Sequence, residues 1–500
     1  MSVSQASTPP PLNSRLAALG RWRFAGLFAL LGAVGALGHP PVGWPVFTYF
    51  SLVLLVLLRP WMFDLRRAAW AGWAYGAGYF AITMHWIVEP FLVDIARHGW
   101  MAPFALVLMA GGLALFWSAA FAVAGWRRSG LVFALAFSAA ELLRAHVFTG
   151  FPWGMHVTAF VDVGLYRGAA YLGPHGLTLA TMLLVLVVVR LRGLAAAIYS
   201  VVLGALFLSP VLKITEPSGD APVIRVVQPN ARQDLKWRED MIPIFLERKM
   251  EATAAAPQAD LVIWPEVALP AWLEQGAPLF EEAAQRSGGA ELLIGAQSYR
   301  DGQAFNALAH IGPEGQLSAR YDKTHLVPFG EYMPLASLFA RVGIYGLAAN
   351  EGFGFAAGLG PTTFEVPGIG TVQPLICYES IFAHEVARGV DRPRLIVVVT
   401  NDAWFGELGG PAQHLAQAQA RAIEQGLPVA RSANTGVSAI IDARGRVVTS
   451  LALGEAGHVD ARLPAALPPT VYARFGDWPF AVLFALVLLG HLAARRANTD

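Results

Sequence analysis

Residues Asp260 to Glu266 read DLVIWPE: an apolar run stopped by a proline, with a carboxylate directly beyond it. A short apolar run bounded by a turn signal is the mark of a strand buried on both faces. Working outward, Pro222–Gln228 (PVIRVVQ) predicts another strand, and Asp240–Ala256 has helical spacing. Downstream, Pro278–Arg286 reads as helix, while Glu291–Gln297 (ELLIGAQ) and Asn306–Ile311 (NALAHI) read as strands. Thr371–Cys377 (TVQPLIC) and Leu395–Thr400 (LIVVVT) are predicted buried strands, and Pro411–Glu424 a helix. Pro428–Ser432 and Val437–Ala443 follow as strands, the second closing a hairpin through Asp442-Ala443-Arg444-Gly445. Strands alternating with helices, several of them oily on both faces, predict layered α/β with a covered sheet.

The 500-residue chain is made of two materials. It is 55% hydrophobic and 14% charged, against roughly 25% charged for soluble chains. The first 212 positions hold thirteen Arg, no Lys and five acids (Asp64, Glu89, Asp94, Glu141, Asp162); the other 53 charges come later. A single soluble domain, a disordered chain and a coiled coil are excluded. The net charge of +1 gives no footprint for nucleic acid.

Apolar stretches at 23–38, 42–58, 68–88, 100–125, 129–149, 168–189 and 194–212, with an eighth at 478–494, are candidate membrane spans. With eight spans, Arg15, Arg21, Arg23, Arg59, Arg66, Arg67, Arg127, Arg128, Arg190, Arg192, Arg495 and Arg496 share one side. Only Arg97, Arg144 and Arg167 fall on the other. Positive residues mark the cytoplasmic side, so both termini are expected there. The expected domains are a seven-helix bundle over 1–212, an extracytoplasmic catalytic domain over 213–477, and a final helix with a tail over 478–500. Glu141 and Arg144, three apart on one helix before Thr149-Gly150-Phe151-Pro152-Trp153-Gly154, are expected to shape a lipid-facing mouth.

Three segments carry chemistry, each just past a strand: Trp264-Pro265-Glu266, the run from Tyr321 to Glu331 (YDKTHLVPFGE), and Leu375-Ile376-Cys377-Tyr378-Glu379. Functional groups in α/β sheets gather beyond strand ends. Cys377 is the chain's one cysteine, so no intramolecular disulfide forms. Taken singly, it reads as a small buried hydrophobe and Lys323 as a surface lysine; taken together, the three segments describe a nucleophilic site. A thiol has an ordinary pKa of about 8.5 and is a few per cent ionised near neutrality. A carboxylate in an apolar pocket has a raised pKa and accepts its proton. An ammonium favours the thiolate and then faces the oxyanion of a tetrahedral intermediate.

These segments, in this order, resemble the Glu-Lys-Cys signature of the nitrilase (carbon–nitrogen hydrolase) superfamily. Thr400-Asn401-Asp402-Ala403-Trp404-Phe405-Gly406, Gln413-His414, Arg421-Ala422 and Glu424 extend the likeness. With the oily first half and the GFPWG turn (150–154), nearly the whole chain resembles the apolipoprotein N-acyltransferase family. That resemblance implies an αββα nitrilase-like domain on a multi-span helical bundle in the bacterial inner membrane. It implies Glu266 as general base, Lys323 as intermediate stabiliser and Cys377 as nucleophile, with Trp237, Glu331, Tyr378 and Glu379 in substrate-binding or supporting roles. The implied substrates are a phospholipid acyl donor and a diacylated apolipoprotein acceptor, and the implied intermediate is a Cys377 thioester. No cofactor and no metal are expected: His384-Glu385 is followed by Arg388, not His, so a zincin pattern fails. A monomer in the bilayer is expected.

The alternatives are a membrane-anchored amidase and a transporter with an outer sensing domain. An anchor needs one span, not eight, and a transporter needs polar groups along a midplane path, which these spans lack. Tyr332–Phe355 (YMPLASLFARVGIYGLAANEGFGF) is apolar and glycine-rich, and is expected to form a lid resting on the outer leaflet.

Overall fold

The first half is built of long apolar stretches that form helices, some of them ended by prolines or glycines. In the computed structural model the described residues are 19–62, 64–127, 129–191, 219–334, 354–387 and 391–497, with 195, 199, 202, 217 and 341 singly. Helix α1 (Arg21–Ala36) ends before His39-Pro40-Pro41, and α2 (Pro45–Leu58) starts on a proline, whose missing N–H costs nothing there. Helices α3 (Leu65–Thr83) and α5 (Gly130–His146) are capped by side chains: Asp64 accepts from the Arg67 N–H, and Ser129 from that of Val132. Between these two lies α4 (Ala102–Arg127), and α6 (Ala169–Arg190) follows α5, kinked where Gly173 has φ +67° before Pro174. Aromatic rings fill the bundle core, with Tyr75, Tyr79, Phe80, Trp117, Phe121 and Phe137 all buried.

By length and hydropathy, three helical stretches among the described residues are able to cross a membrane: Ile95–Arg127, Gly164–Arg190 and Trp478–Arg496, with Pro45–Trp61 a shorter apolar one. The eight-span expectation is therefore met only in part. At 1.5 Å per residue the 16 residues of α1 reach about 24 Å, short of a hydrocarbon core of about 30 Å. Helix α5 carries Glu141 and Arg144, and the stretch 194–212 lies almost wholly outside the described residues. The Trp478–Arg496 helix turns Val482, Leu486 and Leu489 outward, a face suited to lipid.

The second half is a four-layer sandwich. One sheet has strand order β12-β1-β2-β3-β4-β5, the other β11-β10-β9-β8-β7-β6. In the first, β1 (Val223–Gln228), β2 (Leu261–Ile263) and β3 (Glu291–Arg300) are parallel; β4 (Gln303–Ile311) and β5 (Leu317–Asp322) continue antiparallel. In the second, β7 (Gly370–Ile376), β8 (Leu395–Thr400) and β9 (Val429–Ala433) are parallel, with β10 (Ser438–Ile441) and β11 (Val447–Leu451) antiparallel beyond. β6 (Phe364–Val366) and β12 (Gly457–Arg462) complete the edges, each antiparallel to its neighbour.

Alternation along each strand divides the side chains between two faces. Ile224, Val226, Leu261 and Ile263 meet Val372, Ile376, Val397 and Val399 between the sheets. Val262, Trp264, Leu292 and Ile294 point outward under α7 (Ile242–Ala254) and α8 (Ala277–Ser287). Ile396, Val398 and Val429 pack under α9 (Gly410–Gln425). The helix α9 also docks the sandwich on the bundle: Ala416, Ala420 and Ile423 share a cluster with Met155, Phe160 and Tyr166. The Tyr166 hydroxyl donates to Glu424 at 2.7 Å.

Candidate active site

Three chain segments bring the expected triad together past the ends of β2, β5 and β7. Glu266 sits in the loop after β2, where Val267 has φ +48°. Gly295 of β3 makes that loop possible: a Cβ there would lie 2.1 Å from the Pro265 carbonyl oxygen. The Gly295 carbonyl accepts the N–H groups of Ala268 (2.7 Å) and Leu269 (3.0 Å). Lys323 follows β5, its N–H donating to the Asn306 carbonyl at 2.8 Å. Cys377 stands at the turn from β7 into a 3-10 segment with φ +51°. A non-glycine residue in that region costs on the order of 1–3 kcal/mol and persists where its surroundings over-determine it. Such a turn lifts the thiol off the strand end.

The Lys323 Nζ lies 2.9 Å from Glu331 Oε1 and 3.7 Å from Glu266 Oε1. Asn306 of β4 bridges the two carboxylates, donating from Nδ2 to Glu266 Oε1 at 2.7 Å and to Glu331 Oε1 at 3.2 Å. The Asn401 N–H donates to Glu266 Oε2 at 2.8 Å, and the Val327 N–H to Glu331 Oε2 at 2.8 Å. The pocket around Glu266 is therefore polar, not the apolar one expected: its carboxylate is held by two donors and an ammonium. This surrounding fixes the orientation of the carboxylate.

Burial by itself works against the charge on Lys323, but Glu331, Glu266 and the thiol together hold its pKa above the ordinary lysine range. Burial pushes the Cys377 thiol well up, Glu266 adds to the effect, and Lys323 and a hydrogen bond with Thr400 oppose it. At rest the site thus pairs a protonated thiol with a charged lysine. Of the carboxylates near the thiol, Glu266 acts on it most strongly.

The other four expected residues, Trp237, Glu331, Tyr378 and Glu379, lie on the segments around this centre. Glu331 is in the charge cluster itself. The Glu379 carboxylate is buried and braces two segments: Oε1 accepts from the Tyr321 hydroxyl (2.7 Å), the Thr324 N–H (2.7 Å) and Oγ1 (2.9 Å), and the His325 N–H (3.2 Å). Its Oε2 accepts the Ile376 N–H at 2.7 Å. The lysine-bearing and cysteine-bearing turns are thereby tied to one side chain. Tyr378 points into the bundle, where its hydroxyl donates to the Gly150 carbonyl at 3.2 Å and its ring meets Phe151. Trp237, half-exposed, stands at the mouth of a cavity lined by Lys236, Lys249, Glu266 and Asn434. Burial lowers Lys236 to about 8, partly offset by Glu266, and lowers Lys249 to about 7.

Behind the thiol lies a network that single-residue reading of the sequence passes over. His414 Nε2 is 3.2 Å from the Cys377 carbonyl oxygen and 2.8 Å from Ser380 Oγ; its Nδ1 is 2.9 Å from Asp402 Oδ1. Asp402 also binds Arg431 and accepts from Thr400 Oγ1 at 2.8 Å. Burial opposes its charge, but Arg431 and His414 hold the carboxyl down at about 2. Asp402 and His414 belong to motifs visible in the sequence; Asn306, inside an ordinary strand pattern, gives no such signal. Among the described residues no group of three or more His, Cys, Asp or Glu is arranged to hold a metal ion.

Comparison with known proteins gives matches to both halves. Residues 224–467 match the Carbon-nitrogen hydrolase family, and residues 31–187 match the Apolipoprotein N-acyltransferase N-terminal domain. The chain is 38% identical to the Apolipoprotein N-acyltransferase of Caulobacter vibrioides, over 95% of each chain. It is 36% identical to that of Rhodopseudomonas palustris, over 95% of this chain and 96% of the relative. Among solved structures, an amidase from Nesterenkonia sp. AN1 with an acetamide moiety on its active-site cysteine is 20% identical, with a TM-score of 0.37 over 53% of this chain and 96% of the amidase. A carbon-nitrogen hydrolase from Helicobacter pylori G27 is 17% identical, with a TM-score of 0.38 over 48% of this chain and 88% of that one.

Proposed function

Because the chain belongs to the apolipoprotein N-acyltransferase family, we propose that it transfers a fatty acyl chain from a membrane phospholipid to the α-amine of a lipoprotein's diacylglyceryl-cysteine. The observation that carries this reading is the grouping of Glu266, Lys323 and Cys377 at the strand ends of a domain docked on an apolar bundle.

Glu266 takes the proton from Cys377 as the sulfur attacks the donor's ester carbonyl. The oxyanion that forms faces the Lys323 ammonium. Collapse breaks the ester C–O bond, and Glu266 returns the proton to the departing lysophospholipid oxygen. A thioester on Cys377 remains. The acceptor's α-amine then attacks the thioester, Glu266 removes a proton from the nitrogen, and the C–S bond breaks. The sulfur recovers its proton, leaving an amide and the resting thiol.

A lipid reaction accounts for the bundle. Moving an acyl chain of about 16 carbons into water costs about 0.8 kcal/mol per CH₂, on the order of 10 kcal/mol in all. A site at the bilayer surface avoids that cost. In this reading residues 1–212 supply seven spans and 478–500 an eighth, 213–477 form the catalytic domain on the periplasmic side, and the protein works as a monomer in the bacterial inner membrane.

The test is acyl transfer by purified protein between a phospholipid and a diacylated lipopeptide, beside the Cys377→Ala variant. The reading expects triacylated product only from the unaltered chain. Free fatty acid without acylated peptide makes the protein a hydrolase instead. Reporters fused after residues 212 and 496 should report opposite sides of the membrane; the same side for both breaks the eight-span arrangement.

A further inference from the structure

The helix-borne pair Glu141–Arg144 is buried, with side-chain exposure of 0% for both partners. The expected lipid-facing mouth is therefore wrong about these two side chains: they point into the protein. Removing an ion pair from water costs about as much as the pair regains, so such a pair is poor evidence of stabilisation and calls for another role.

Its hydrogen bonds show what it holds. Arg144 Nη2 donates to Glu141 Oε2 at 2.9 Å, and Nε to Oε1 at 3.2 Å. Glu141 Oε1 is fixed in turn by Trp117 Nε1 at 2.6 Å. The remaining corner of the guanidinium, Nη1, donates to the carbonyls of Phe151 (2.5 Å) and Trp153 (2.7 Å). The Phe151 N–H donates back to the Arg144 carbonyl at 2.8 Å. One arginine thus sets the path of the 150–154 turn. Gly150 allows it: φ is +79°, and a Cβ would lie 2.1 Å from the Ala145 oxygen.

This turn touches the nucleophile's segment from two sides. The Gly150 carbonyl accepts the hydroxyl of Tyr378, the residue after Cys377. The Trp153 indole donates to Gln413 at 2.7 Å and stacks on His414 at 5.5 Å between ring centroids. His414 is the residue whose Nε2 faces the Cys377 carbonyl. The Cys377 backbone lies at an unfavourable φ, so something must hold it there, and both of these contacts come from the bundle.

We infer that Glu141, Arg144 and Trp153 are positioning residues for Cys377, through which the helical bundle sets the geometry of the nucleophile in the other half of the chain. The inference rests on Cys377 being the nucleophile proposed above.

Three variants test it in purified full-length protein: Arg144→Lys, which keeps the charge but loses the fork; Trp153→Phe, which keeps the ring but loses the indole donor; and the double variant. The readouts are the rate of acyl-enzyme formation, with its kcat and KM for phospholipid, and the rate at which iodoacetamide labels Cys377, both per folded molecule. A misplacement of about 1 Å costs as much as a hundredfold in rate. Arg144→Lys is therefore expected to lower kcat about tenfold to a hundredfold with KM for the phospholipid little changed. Trp153→Phe should give a smaller loss, and the double variant less than the product of the two losses, because both act through one turn. Iodoacetamide labelling should change in both single variants. If both form acyl-enzyme and label at the rate of the unaltered protein, the positioning role is overturned. Should Arg144→Lys fail to fold, a normal kcat and labelling rate in Trp153→Phe overturns it alone. If the unaltered protein forms no adduct on Cys377, the proposed function itself fails, which is a separate result.

Discussion

Glu331→Gln isolates what keeps Lys323 charged. The lysine is 1% exposed and has two carboxylates in reach, Glu331 at 2.9 Å and Glu266 at 3.7 Å. At an effective dielectric of about 20, the two attractions are roughly 6 and 4–5 kcal/mol. Glutamine keeps the shape and one acceptor oxygen but removes the nearer charge, so more than half of the counter-charge energy is lost. Burial already disfavours the ammonium. In the unaltered protein the raised pKa keeps Lys323 charged across the neutral range and well above it. In the variant that pKa falls, and the ammonium is lost as pH rises through its new value. On the proposed mechanism, losing the charged donor to the oxyanion costs up to about 10²–10³ in rate. The assay is single-turnover acyl-enzyme formation followed as pH rises from neutral into the alkaline range. The variant's activity should begin to fall at a lower pH than the parent's. Alkaline limbs that coincide in variant and parent refute the idea that Glu331 maintains the ammonium.

Three further outcomes follow from the same geometry. Gly295→Ala puts a methyl into the Pro265 carbonyl; it should cost about 1–3 kcal/mol by overpacking and lower acyl-enzyme formation more than it lowers Tm, because Glu266 moves with the loop. Asp402 has a depressed folded pKa of about 2, so its contribution to stability is complete above about pH 4 and is lost as pH falls towards 2; Asp402→Asn should lose Tm at pH 7 and show a flatter Tm between pH 4 and 2. Lys249 has a folded pKa lowered to about 7 by burial, so the unfolded chain binds more protons between there and about pH 10 and stability rises with pH across that window; Lys249→Met should raise Tm at pH 7 and below, with the gain shrinking towards pH 10.

The placement of Glu266 and Cys377 at strand ends was legible because each directly follows a short oily run, DLVIW and TVQPLI, that ends in a turn. The strand before Lys323, LSARYD, is mostly polar and half-exposed and was missed, so Lys323 stood out only through the segment YDKTHLVPFGE. Asn306 was not legible, since one polar residue in NALAHI reads as routine strand alternation until β5 and the Glu266 loop fold over it. Edge strand β12 was missed for a similar reason: GHVDAR has weak alternation, and its pairing with β1 comes from 457–462 meeting 223–228, far away in sequence. Glu141 and Arg144 were visible as an i,i+3 pair, but their direction depends on Trp117, Phe151 and Trp153, which only packing brings near. Span number was read from apolar length; α5 is shorter as a helix (17 residues) than the apolar stretch 129–149, and α1 has only 16 residues. The lid expected over Tyr332–Phe355 falls mostly outside the described residues.

The central claim, that Cys377 carries the acyl group, is tested most directly by intact-mass spectrometry of the protein purified from membranes, with peptide mapping. The account predicts a fatty-acyl mass on the Cys377 peptide that hydroxylamine removes, that disappears in Cys377→Ala, and that leaves the protein when diacylated lipopeptide is added. Acylated lipopeptide produced by a chain whose Cys377 never carries an acyl mass, or produced undiminished by Cys377→Ala, would contradict it.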